Sequence, residues 1–463
     1  MKIPSIAELL DSPQLKPWVD RASRNVVVSS VKTFVERMAT DLQSRAAEMK
    51  VPTVGELAER IAEWMALRRA SAPHAQINAT GVLLPESASP PLADEALHAL
   101  SGSLRDYVTD RGHRIEGLLE IGTLAKQLTG AEACAVTGTH SGALLLALAA
   151  TCGERPVVVA RGQVGEIDPQ ITLPQTARCA GVSLRECGIV DRSSPADYED
   201  ALPGAGAVLI VADPRLARGG DPLADLAQIV ALARRQQVPV IVDLSHGAIV
   251  DLERYLPNAP HAGMALEQGA DLVILPGDRL LGGPPCGLIL GRQAAIDRLR
   301  RHGLFASLVA SPLVLLPLAA TLELYQDREV AERAIPLLSL LATSADNLQN
   351  RAQRLAPQLA ASPLVASATA VEGVARLIDT SSSPTLHAWQ VVVKPKDITA
   401  EALGDRLAAA VPSVACTVDN GLLLLNLRTM LPRQDMQVVD AFEGLASATA
   451  KGADESAEGS GDL

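Results

Sequence analysis

The stretch Ala270-Asp271-Leu272-Val273-Ile274-Leu275-Pro276 runs directly into Gly277-Asp278-Arg279-Leu280-Leu281-Gly282-Gly283-Pro284-Pro285-Cys286-Gly287. A short apolar, β-rich run that breaks into a Gly/Pro-rich turn reads as a buried strand delivering a loop at its carboxyl end. Similar runs stand on either side of it: CAVTG from 134, PVVVA from 156, AVLIVAD from 207 and VPVIVDL from 238. Helix-period stretches such as DLAQIVALARRQQ (225–237) separate them. From Ile77 to about Ala320 this alternation predicts an α/β domain, a mainly parallel sheet with helices on both faces. In such a sheet, ligands sit beyond the carboxyl ends of the strands, so the residues following each run are the candidate site.

A chain of 463 residues, 48% hydrophobic, exceeds one compact core and divides into two or three domains. The divisions read as a helical N-terminal domain (1–72), a large domain (73–325), a smaller C-terminal α/β domain (326–448) and a disordered acidic tail (449–463). In the first, Thr53 and Glu56 form a capping-box pattern ahead of an apolar-periodic segment. The third opens on a long helix near 330–357 and contains the strands WQVVVKP and NGLLLLNLR. The tail is too polar to bury a core.

Aromatics make up only 2%, so base stacking is not a major binding mode, and a net charge of −12 opposes nonspecific attraction to a phosphate backbone. No DNA partner is expected. The most apolar segment, Leu304 to Leu324, is broken by Pro312 and Pro317 and reads as a core helix pair rather than a membrane span. No membrane partner is expected either. The start, MKIPSIAELLDSPQLKPW, lacks a secretory pattern, and the six dispersed cysteines form no CxxC pair, so the expectation is a cytoplasmic protein with buried thiols.

Three strand ends carry candidate chemistry. Thr137-Gly138-Thr139-His140-Ser141-Gly142 precedes an apolar helix, and hydroxyls with helix N-terminal amides there could cradle a phosphate or simply cap the helix. Asp243 ends VPVIV and could hold a heteroaromatic nitrogen protonated, or act as a capping Asp; His246 after it is ambiguous. The third is the 277–287 loop.

That loop resembles the selenocysteine synthase family of pyridoxal-phosphate (PLP) transferases, whose corresponding segment reads Gly-Asp-Lys-Leu-Leu-Gly-Gly-Pro-Gln-Ala-Gly. The similarity continues in Ile3-Pro4-Ser5-Ile6-Ala7-Glu8-Leu9-Leu10, Ile77-Asn78-Ala79-Thr80-Gly81-Val82, Arg111-Gly112-His113-Arg114, Thr129-Gly130-Ala131-Glu132, Arg161-Gly162 with Glu166-Ile167, Asp243-Leu244 with Val250-Asp251-Leu252, and Leu424-Leu425-Asn426-Leu427-Arg428-Thr429. The resemblance implies a fold type I PLP architecture, a large oligomer, and conversion of seryl-tRNA to selenocysteinyl-tRNA with selenophosphate. It places PLP among Thr137, Gly138, Thr139, His140, Asp243, Gly277 and Asp278, with the Schiff-base lysine at Arg279 and substrate at Arg111 and Arg114. Within a subunit interface, salt bridging is the alternative role for these two arginines.

The departures fall on that site. A guanidinium with a pKa above about 12 stays charged and is no useful nucleophile, so Arg279 should not form an internal Schiff base. The only other lysine between Ile77 and Ala320 is Lys126, in a helix ahead of the 134 run. In His302 to Ala310, Ala306 and Val309 stand where the family carries the arginine pair that receives the selenium donor. The family's Asn-Asn-Asn-Ala turn is Thr137-Gly138-Thr139-His140, and its His-Thr-Ser-Asn strand end is Asp213-Pro214-Arg215-Leu216. Two explanations compete: a pseudoenzyme on a kept scaffold, or altered chemistry with PLP or another phosphate ligand bound noncovalently against Asp243, Arg279 and the 137–142 turn. A homo-oligomer is expected, and a lysine-bearing relative is a candidate partner. Residues 1–70 hold eleven basic and nine acidic residues, which permits tRNA contact; the interspersed signs favour a solvated helical face.

Overall fold

The structure, a computed structural model, describes residues 5–16, 27–35, 38, 53–71, 75–86, 88–105, 113–216, 221 and 223–458. Its centre is a seven-stranded sheet of β2 (Ala133–Thr137), β10 (Gly287–Gly291), β9 (Leu272–Pro276), β8 (Val240–Asp243), β7 (Ala207–Val211), β3 (Val157–Ala160) and β6 (Leu184–Cys187), in that spatial order. The pairs from β9 through β8, β7 and β3 to β6 are parallel; β10 runs antiparallel between β9 and β2.

Every residue of β2, β3, β7, β8, β9 and β10 is buried, which is why these strands read as continuous apolar runs instead of alternating ones. Alternation survives in which core each residue enters. Val208, Ile210 and Val242 face one core, and Leu209, Val211 and Ile241 the other. Each such side chain contributes about 1.5–3 kcal/mol by leaving water, so aliphatic packing supports the sheet despite the few aromatics.

The second sheet has the order β1 (Gln76–Ala79), β13 (Ser413–Asp419), β14 (Leu422–Asn426), β12 (Thr385–Pro395), β11 (Val365–Arg376). β1 pairs parallel to β13, with Ile77 opposite Val414. The segment at 76–79, which the sequence assigns to the large domain, therefore completes the smaller one. The boundary near 325 also shifts. Ala331, Ile335, Leu337, Leu338, Leu340 and Leu341 pack into the large domain's core, because their apolar faces meet it rather than the small sheet.

Three helices replace the single long one near 330–357: Arg328–Ala334, Pro336–Ala342 and Ala345–Ala360. Pro336 lacks an N–H and starts a new helix, and Ser344 caps the third by accepting from Asn347 N. Two buried arginines tie the small domain together. Arg351, 2% exposed, pairs with Asp435 at 2.6 Å. The Arg428 guanidinium donates to the carbonyls of His387 (2.8 Å) and Leu340 (3.0 Å), joining the small sheet to the helix that enters the large core.

Near the amino end, Leu9, Leu15, Val31, Leu57 and Ile61 form a separate small core, and Thr53 and Glu56 make the reciprocal capping bonds. The helix Asp435–Glu458 runs through most of the stretch that reads as a tail. Ala, Lys and Glu are strong helix formers, and extending an anchored helix avoids the nucleation cost. The helix pair at 304–324 is present as a single turn, Phe305–Leu308, and the longer Pro312–Leu324 with Pro312 in its first turn; only the second contributes buried residues to a core. Among the described residues no helix is long and apolar enough to cross a membrane. Of the six cysteines, all unpaired, Cys179 is exposed and Cys416 partly so, against the expectation that all are buried.

Candidate functional site

A cavity of about 280 Å³ opens at the carboxyl ends of β2 and β9, where the fold predicts a ligand site. Its wall brings together Gly138, Thr139, His140, Asp278 and Arg279. Glu86, Ser89, Asp168 and Cys286 join them, unselected in the sequence.

The loop after β9 is built by close approaches. A Cβ on Gly277 would stand 2.3 Å from Pro284 O and 2.5 Å from Cys286 Sγ, so only glycine fits. Gly277 N donates to Cys286 O and Gly283 N to Gly277 O, folding the loop back on itself. Gly282 turns it at φ +69°, a left-handed conformation that glycine adopts without strain. Arg279 and Asp278 are thereby presented to the cavity, with Ser89 Oγ donating to Asp278 Oδ2 at 2.8 Å. Burial pushes the Cys286 thiol up to about 12, leaving it a packing group rather than a nucleophile.

At the 137–142 turn, Thr139 caps the helix His140–Cys152, its Oγ1 accepting from Gly142 N at 3.0 Å. Gly138 N donates to Leu308 O, and Ser141 N donates to Asp168 Oδ2 at 2.9 Å. Thr137 is fully buried, and its hydroxyl bonds to Thr139 O and Gly287 O instead of facing a ligand. The amides of Gly138, Ser141 and Gly142 thus already have partners.

Asp243 is completely buried at the end of β8 and caps no helix; His140 Nε2 lies 2.7 Å from its Oδ1. His140 Nδ1 lies 3.4 Å from Asp168 Oδ1. Burial alone would depress the imidazole, but the Asp243 and Asp168 carboxylates outweigh it and lift His140 to about 10. His140 is an imidazolium held between two anions. Burial would likewise raise Asp168, yet bonds from His140 and Ser141 bring it down to about 2. Asp243 Oδ2 and Ser245 Oγ are buried without hydrogen-bond partners, two orphaned groups at the end of one strand.

Asp213, buried at the end of β7, takes Arg215 through two guanidinium nitrogens, Nη2 at 2.7 Å and Nε at 3.0 Å. Arg215 reaches on to Glu86 at 3.0 Å and to Glu166 O at 3.1 Å, so the Asp213-Pro214-Arg215-Leu216 strand end braces the cavity wall. His246 Nδ1 stands 3.5 Å from Asp213 Oδ1. Val309 bridges Thr137 beside the cavity, and Ala306 is exposed on the turn before it. Lys126 is exposed on the helix His113–Thr129 and does not line the cavity. Arg111 lies outside the described residues, as does the side chain of Arg114. Among the described residues no cluster of His, Cys, Asp and Glu is placed to hold a metal.

The site fits PLP at one end only. The orphaned Asp243 Oδ2 suits a pyridinium N–H. Arg279, not a lysine, is presented to the cavity by the 277–287 loop, and the Ser141 amide is bound to the Asp168 carboxylate. Lysine-linked PLP does not fit these residues.

The profile of the SelA family, L-seryl-tRNA selenium transferase, matches residues 76–431. The chain is 28% identical to the L-seryl-tRNA(Sec) selenium transferase of Geobacter sulfurreducens over 458 residues, 96% of this chain and 99% of that one. It is 30% identical to that of Moorella thermoacetica over 464 residues, 96% of this chain and 97% of that one. Among solved structures it resembles D-glucosaminate-6-phosphate ammonia-lyase, with a TM-score of 0.58 at 18% identity, covering 83% of this chain and 99% of that chain, a likeness of fold. The mixed α/β fold of the large domain is shared with that lyase. With a family profile spanning most of its length, this chain belongs to the L-seryl-tRNA selenium transferase family.

Proposed function

We propose that this chain is a selenocysteine synthase-like protein that keeps the family scaffold and has lost Schiff-base selenium transfer. The observation that carries this reading is Arg279, presented to the cavity by the Gly277–Gly283 loop, with no lysine among the described residues lining it. The guanidinium stays protonated and offers no lone pair to an aldehyde. Any PLP taken up is held noncovalently. The departures at Ala306 and Val309 support the same reading, since no cation stands at either position to clamp a selenium-donor anion.

A second reading, an enzyme of altered chemistry, draws on the two orphaned polar groups at Asp243 and Ser245, which leave hydrogen-bonding capacity for a ligand. In both readings the chain is a homo-oligomer, because the match extends over the scaffold that carries family contacts. The mixed charges of residues 1–70 support weak or absent tRNA binding.

The test is turnover of seryl-tRNA(Sec) with selenophosphate and excess PLP, beside a lysine-bearing relative. The chain is expected to give no selenocysteinyl-tRNA; turnover within tenfold of the relative would overturn the proposal.

A further inference from the structure

The cavity already contains an anion of the protein's own. Asp168 Oδ2 accepts from the Ser141 amide at 2.9 Å, in the first turn of the 13-residue helix His140–Cys152, and its Oδ1 lies 3.4 Å from the His140 imidazolium. A helix N-terminus favours negative charge because its first N–H groups lack intrahelical acceptors. Here that preference is met by a side chain. Of the neighbouring amides, Gly142 N bonds to Thr139 Oγ1 and Gly138 N to Leu308 O.

Asp168 is also held where it is. It closes the two-stranded ribbon of β4 (Glu166–Asp168) and β5 (Ile171–Thr172), whose turn is fixed by Gln170 N donating to Glu166 Oε1 at 2.7 Å. Leu173 N donates to Gly165 O at the ribbon's base, and Arg215 Nη2 donates to Glu166 O. The remaining charges do not favour a dianion. Asp168 and Asp278 line the cavity against the cations Arg279 and His140, Glu86 is paired with Arg215, and the His140 charge is shared with Asp243 beneath it.

We infer that Asp168 is a built-in occupant of the anion position at the start of this helix, and that the cavity therefore takes a ligand without a phosphate. A phosphorylated ligand would compete with a fixed carboxylate for the same N–H and meet its charge at close range. The inference rests on the proposed function, in which lysine-linked PLP is absent. It goes further by naming the ligand class.

The test compares pyridoxine with pyridoxine 5′-phosphate, a pair differing only in the phosphate and lacking the aldehyde that reacts with lysines. Its outcome is thus independent of whether a Schiff base forms. Full-length wild type, Asp168→Asn and Asp168→Ser are titrated calorimetrically, with folding checked by circular dichroism. Asp168→Asn removes the charge and keeps the size; Asp168→Ser also opens the space, and either folded variant suffices. The expected result is a gain of at least tenfold in affinity for pyridoxine 5′-phosphate in the variants, with pyridoxine changed less than threefold. Equal binding of the phosphate ester by wild type and variants would overturn the inference. A borohydride-stable lysine adduct with PLP would instead sink the proposed function.

Discussion

Replacing His140 with Gln should change both the stability of the protein and its pH dependence. His140 lies 2.7 Å from Asp243 and 3.4 Å from Asp168, and its ionisation is lifted from 6.5 to about 10 against the effect of burial. A raised folded-state pKa means that folding binds the proton more tightly. The stabilisation is complete below about pH 6.5 and is lost as pH rises through 10. At about 1.4 kcal/mol per unit, the full shift corresponds to an upper bound of roughly 5 kcal/mol. In His140→Gln that slope disappears between pH 6.5 and 9, and Asp243 is left buried without a counter-charge, a loss of about 3–5 kcal/mol near neutral pH. Urea unfolding of wild type and variant at pH 6, 7, 8 and 9 reads both effects. Equal slopes over that range, or a variant as stable as wild type at pH 7, would refute the imidazolium assignment. The companion variant Asp243→Asn with His140→Gln should recover much of the neutral-pH loss, because no unpaired charge then remains.

Arg279→Lys should acquire a borohydride-reducible adduct with pyridoxal, and with PLP once Asp168→Asn is added, yet stay inactive in selenium transfer. Losing two charge-assisted clamps at Ala306 and Val309, each about 1.5–3 kcal/mol, is worth about two to four orders of magnitude, and turnover by the single variant comparable to that of a lysine-bearing relative would contradict this. Arg428→Met, which strips donors from the carbonyls of His387 and Leu340, should lower stability by about 2–4 kcal/mol in urea unfolding; a change under about 0.5 kcal/mol would show that the arginine does not tie the domains. Gly277→Ala, whose Cβ would meet Pro284 O at 2.3 Å, should cost at least about 2 kcal/mol, while Gly303→Ala, with nothing within 4 Å, stays near neutral.

The large sheet is legible because its strands are buried on both faces, so local composition alone marks VPVIV and AVLIV as strands. The small domain is harder to read. β1 joins β13 across more than three hundred residues, and no local signal in Gln76–Ala79 says which sheet it completes. The domain edge at 325 fails for the same reason: the faces of the helices Arg328–Ala334 and Pro336–Ala342 are apolar in the sequence, but the core they enter is a tertiary fact. In the site, the residues after strands 2, 8 and 9 follow from the rule that ligands gather at strand ends, and the Gly-rich loop around Arg279 marks itself. Asp168 and Glu86 do not. They reach the cavity from a two-stranded ribbon and from the loop after β1, and only the folded chain sets Asp168 against the Ser141 amide. His140 is visible as a residue of the turn, but its bond to Asp243, 103 positions away, is not.

The central claim, that this family scaffold no longer forms a Schiff base, is tested most directly by absorbance and intact mass of the purified protein with PLP, before and after borohydride. Borohydride fixes only an imine, so it separates covalent from noncovalent cofactor. The account predicts that the protein returns to its unmodified mass after reduction and dialysis, with Arg279 unmodified. A stoichiometric pyridoxyl adduct mapped to a lysine of the large domain would contradict it.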